Sequence, residues 1–101
     1  GGGGGPAGTA ESFVNALNDG NAQAAGELLH PDSPLTQQQL SQFTATFGPA
    51  QLSIGGAEVV QQSDGQATVE VSVTFQGETQ PVPVQVRQAD GEWLVYRFQG
   101  A

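Results

Sequence analysis

Residues 66–75 read "QATVEVSVTF", apolar at every second position. That period of two predicts a strand with Ala67, Val69, Val71, Val73 and Phe75 turned to a core and Thr68, Glu70, Ser72 and Thr74 turned to water. Two later stretches, "QPVPVQVRQ" and "EWLVYRF", repeat the period. An earlier one, "QLSIGGAEVVQQ", is a strand kinked at Gly55-Gly56, where two glycines predict a bulge. Ser63-Asp64-Gly65 and Ala89-Asp90-Gly91 are the turns between strands. Before residue 50 the apolar spacing is helical. Phe13, Ala16 and Leu17 share one face of a first helix, with Thr9 as its cap and Asn18-Asp19-Gly20 as its stop. Asn21 caps a second helix that buries Ala25, Leu28 and Leu29 and ends at Pro31. Ser33 caps a third, with Pro34 in its first position, an apolar stripe of Leu40, Phe43 and Phe47, and Gly48-Pro49 at its end.

Pro81 and Pro83 interrupt the third strand, and proline donates nothing to a sheet ladder. The valines at 82, 84 and 86 must share a face with those at 69, 71 and 73. A four-residue loop, Gln76 to Thr79, satisfies this by pairing Val73 with Val82 and Val71 with Val84, and it turns the missing N–H groups away from the hairpin. A three-residue loop at Ala89-Asp90-Gly91 then pairs Val86 with Leu94, Val84 with Tyr96 and Val82 with Phe98. In this register Leu94, Tyr96 and Phe98 face the helices. The outer face collects Thr68, Glu70, Ser72, Gln85, Arg87, Trp93, Val95 and Arg97. A one-residue slip would exchange the two sets on the last strand.

Charge narrows the functions available. Ten acids against two arginines, with no lysine, give a net charge of −8. No basic footprint for nucleic acid can be assembled, and an anionic membrane surface is repelled. Without cysteine there are no disulfides or thiolate ligands. "GGGGGPAG", residues 1–8, is a flexible linker by composition, leaving residues 9–101 as one domain.

"AESFVNALNDGNAQAAGELLHPDS" followed by four strands ending in "DGEWLVYRF" resembles the nuclear transport factor 2-like superfamily over residues 9–99. The resemblance implies an α+β cone of cystatin-like type: three N-terminal helices packed on a curved four-stranded antiparallel sheet. It is closest to small bacterial members, secreted or membrane-tethered and without a defined function. It therefore implies an extracytoplasmic setting, with any membrane contact made through an anchor outside this chain. The superfamily holds isomerases, dehydratases and cyclases beside many non-catalytic members, and its sheet often forms homodimers.

Such enzymes place a carboxylate, a histidine or an Asp–His pair inside the cone. In the register above, Tyr96 is the one polar side chain on the inner sheet face. His30 and Asp32, flanking Pro31, are the candidates at a pocket mouth, where a His-x-Asp pair could serve as base and orienting carboxylate. The blander reading has His30 complementing a helix end and Asp32 solvated. Two candidate ligands with no third make no metal site, and no cofactor motif is present. A small apolar ligand would sit among Phe13, Phe43, Tyr96 and Phe98. The outer face offers Trp93 and Val95 flanked by Arg87, Arg97 and Glu70, residue types suited to an interface and to a homodimer. Against that stands a local stack of arginine on the indole, worth ~0.5–1 kcal/mol when exposed. The expectation is a non-enzymatic ligand-binding or protein-interaction domain. The alternative is a small isomerase- or cyclase-like enzyme using His30, Asp32 and Tyr96.

Overall fold

A computed structural model of the chain describes residues 5–47 and 53–98. The expected Gly48-Pro49 stop, the first two residues of the first strand and Gly1–Gly4 of the linker lie outside the described residues. Three helices, α1 (Gly5–Asn18), α2 (Ala22–Gly26) and α3 (Gln37–Phe47), precede four strands, β1 (Ser53–Ser63), β2 (Gln66–Phe75), β3 (Glu78–Ala89) and β4 (Glu92–Phe98). The strands form one antiparallel meander in the order β1-β2-β3-β4. The architecture is the α+β arrangement expected from the periodicity.

Helix α1 starts inside the stretch read as linker. Pro6 sits in its first turn, where a missing N–H costs nothing, and Ala7 packs on the core. Ala10, Phe13, Val14 and Leu17 are buried along one stripe that crosses all four strands. Thr9 is not the cap. It lies within the helix and its hydroxyl donates to the Trp93 carbonyl at 2.9 Å. The helix stops as expected: Gly20, at φ 74°, donates to Leu17 O and Asn21 to Ala16 O, a Schellman arrangement.

Asn21 caps α2 by accepting from Ala24 N. The helix is shorter than expected and ends at Gly26. Residues 28–30 leave it to run beside β4 instead: Val95 N donates to Leu28 O at 2.7 Å and His30 N to Val95 O at 2.8 Å. The segment pairs backbone groups of β4, which is an edge strand of the sheet and would otherwise leave them open. Ser33, expected as the cap of α3, ties the same segment down. It donates to Tyr96 O at 2.6 Å and accepts from Leu35 N. The cap of α3 is Thr36, which exchanges reciprocal hydrogen bonds with Gln39.

In the sheet, the faces of β2 and β3 are as read but their register is not. Phe75 pairs with Glu78, Val71 with Val82 and Val69 with Val84. The loop is the two-residue Gln76-Gly77, with φ of 53° and 84°, a type I′ turn. Pro81 and Pro83 stand opposite Ser72 and Glu70, at the positions of this hairpin that exchange no hydrogen bonds. The prolines are therefore accommodated for the reason inferred, through a different loop. Phe75 itself is half exposed at the hairpin tip. Strand β1 bulges at Gly55-Gly56, as expected, and again at Val60, which is turned out to solvent.

Strand β4 departs furthest from expectation. The loop after β3 is Asp90-Gly91, again with both φ positive, so Ala89 pairs with Glu92 and Val86 with Val95. Tyr96 is then an extra residue before Arg97 pairs with Gln85, a bulge. Val95 is fully buried and Phe98 nearly so, and Trp93 packs against the core. The bulge lets Val95 and Phe98 both face inward although they are three residues apart.

Candidate functional site

The β4 bulge settles where the candidate residues lie. Val95 and Trp93, expected on the outer face as an interface stripe, belong to the inner side, and Val95 has no accessible surface to offer a partner. Tyr96, expected inside, lies on the outer side with Arg87, whose neighbours Val84 and Val86 are buried inward.

The tyrosine ring organises this outer patch. The Arg87 guanidinium carbon lies 3.6 Å from its centroid and that of Arg97 5.8 Å. The His30 ring meets it edge-on at 6.4 Å. The chain's two cationic side chains thus flank its one tyrosine. Each contact of this kind contributes ~0.5–2 kcal/mol, according to how much water is excluded. Arg87 does not stack on Trp93, nor does it reach Glu70: Arg87 pairs with Gln66 and Leu94 across the ladder, and Glu70 with Glu58 and Pro83. Among the described residues, which include all ten acids, no carboxylate comes within ion-pair distance of Arg87 or Arg97.

Grooves flank the patch on either side of Gln85. One is lined by Gln61, Ser63, Gln66, Thr68 and Arg87, the other by Pro83, Arg97 and Phe98. The first is mostly polar, with Ala67 and Val86 also in its lining.

The His30 ring meets the backbone of Asp32, not its carboxylate. The imidazole Nε2 donates to Gln88 O at 3.2 Å, and Nδ1 accepts from the backbone N–H of Asp32 at 3.0 Å. Both nitrogens are engaged in pinning the 28–33 segment, and the Asp32 carboxylate has no part in it. Ser33, which the sequence suggests only as a helix cap, holds the Tyr96 strand in place. The apolar candidates come together, but as packing: Phe13 and Phe43 each meet Phe98 edge to face, at 5.2 and 5.7 Å. Tyr96 is not among them. No group of three or more metal-ligating side chains occurs among the described residues.

No protein-family model matches the chain, and no curated protein sequence matches it. Solved structures do. A de novo designed protein with a curved β-sheet aligns over 88% of this chain and 91% of its own, with a TM-score of 0.61 at 17% identity. A DUF4783 family protein from Bacteroides uniformis aligns over 87% and 91%, with a TM-score of 0.56 at 14% identity. A protein named Rd1NTF2_05, bearing five substitutions, aligns over 87% and 89%, with a TM-score of 0.55 at 17% identity. At these identities the likeness is one of fold: an NTF2-like α+β cone.

Proposed function

We propose that this domain works by binding, not by catalysis, and that its working surface is the outer face of the sheet around Arg87, Tyr96 and Arg97. The observation that carries this reading is the pair of guanidiniums held against one ring with no acidic partner among the described residues, in a chain of net charge −8. Unpaired arginines beside an aromatic ring suit recognition of carboxylates, which they can grip with two hydrogen bonds. Interior aromatics packed on one another, and a histidine engaged at both nitrogens, support the same reading over an acid–base site in the hollow. The glycine-rich start fits a domain displayed on a tether outside a bacterial cytoplasm.

Hexaglutamate titrated into the protein at low ionic strength tests the surface. Binding by calorimetry is expected for the wild type and for His30→Ala, and its loss is expected for Arg87→Gln/Arg97→Gln. Equal binding by all three proteins would remove the surface from consideration.

A further inference from the structure

The polar side chains of the groove beside Arg87 are set out by the strand pairing as a grid. Ser63, Gln66 and Arg87 stand in register across β1, β2 and β3, and Gln61, Thr68 and Gln85 form the next row. Neighbouring strands lie about 4.8 Å apart and alternate residues of one strand about 7 Å apart, so the grid covers roughly 10 by 7 Å. The groove over it measures about 190 Å³. That is less than the ~300 Å³ at which pockets for drug-sized molecules begin, and it suits a ligand of about one ring. No side-chain hydrogen bond joins Gln61, Ser63, Gln66, Thr68 or Gln85 to another described residue. Three amides and two hydroxyls therefore stand open as donors and acceptors beside one cation. One row further along the same face, Glu58 and Glu70 face each other on β1 and β2.

Resting on the reading of this face as a carboxylate-binding surface, we infer that its ligand is a sugar acid of the uronate type, a single ring bearing one carboxylate and several hydroxyls. The carboxylate goes to Arg87. Its guanidinium carbon lies 3.6 Å from the Tyr96 ring centroid, and stacking of this kind fixes the plane of the fork while leaving its N–H edge open to grip a carboxylate with two hydrogen bonds. The ring hydroxyls go to the amides and hydroxyls of the grid, groups that both donate and accept, as a sugar hydroxyl does. Glu58 and Glu70 set the direction of the ligand. At their end of the grid a second carboxylate is repelled, whereas a sugar hydroxyl can donate to them. An acidic peptide, with a carboxylate on every residue, finds cations only at Arg87 and Arg97 and leaves the grid unused. A uronate engages both the cation and the grid.

Glucuronate, titrated with the amide chemical shifts of the labelled protein as readout, tests this beside glucose, acetate and hexaglutamate. The wild type is expected to bind glucuronate about tenfold or more tightly than glucose or acetate, each of which offers only half of the contacts. Gln61→Ala/Gln66→Ala removes two solvent-exposed amides, and circular dichroism checks that the variant folds. It is expected to weaken glucuronate by about tenfold, the loss of two hydrogen bonds, and to leave hexaglutamate binding unchanged. Arg87→Gln is expected to abolish glucuronate binding. Glucuronate held no more tightly than acetate, or held equally by the amide variant, would overturn the sugar acid as ligand. If hexaglutamate still binds through the arginines in that case, the binding surface itself stands; if hexaglutamate fails as well, the surface falls with its ligand.

Discussion

Gln76 occupies a backbone conformation that suits it poorly. Its φ of 53° lies in the left-handed region, where the Cβ of an ordinary residue crowds the following carbonyl at a cost of roughly 1–2 kcal/mol. The type I′ turn at Gln76-Gly77 imposes that conformation because its twist matches the strands it joins. The companion turn uses Asp90 at φ 52°, and aspartate tolerates the region by bonding its own backbone. Gln76→Asn or Gln76→Gly is therefore expected to stabilise the domain by ~0.5–1 kcal/mol, the glycine somewhat less because it also frees the unfolded chain. A higher urea midpoint at unchanged slope is the readout, and an unchanged or lower midpoint would show that the turn does not have this geometry. The same residue-level view explains Tyr96. "EWLVYRF" is apolar at both parities, so alternation could not decide whether Trp93 and Val95 or Leu94 and Tyr96 face inward. The signal that could have decided was Asp90-Gly91, a two-residue hairpin dipeptide that fixes Val86 opposite Val95.

Among the elements, what could be read was whatever parity determines. Strands β2 and β3 slide by two residues between the expected and observed registers, and such a slide leaves every side chain on its face. The valine core was legible for that reason while the loop was not. Helix ends were less legible, because the choice of Thr36 over Ser33 as cap depends on Ser33 being claimed by Tyr96 O across the fold. The prolines have a consequence at this scale. Each sits where a residue's N–H would point away from β2, toward the side on which β4 pairs only with Val84–Ala89. They remove donors from an otherwise open edge. Pro81→Val/Pro83→Val is expected to leave the hairpin intact and its far-ultraviolet dichroism unchanged. It is also expected to add edge-to-edge oligomers and thioflavin-positive material on incubation. If the double variant stays as soluble and dispersed as the parent by light scattering, the edge is protected by something other than proline.

For the whole molecule, the decisive question is whether the cone is hollow. The pattern of apolar positions shows which side chains turn inward but not whether they meet, so Phe13, Phe43 and Phe98 could be read equally as pocket lining or as core. Their edge-to-face contacts at 5.2 and 5.7 Å make them core, joined over the sheet by buried Val69, Val71, Val84 and Val95. Phe98 is the shared member, touching one ring from α1 and one from α3, and it faces inward only because Tyr96 bulges. Phe98→Ala should then do two things at once. It should cost ~3–5 kcal/mol, a large share of the ~5–15 kcal/mol that holds a domain of this size together. It should also leave an apolar void that stays dry and accepts a small ring such as benzene. The expected result is a depressed melting temperature that benzene partly restores, with no effect of benzene on the wild type. A wild type stabilised by benzene to the same degree would mean that the space between helices and sheet is already open, and a ligand-binding interior would replace the outer face as the functional site.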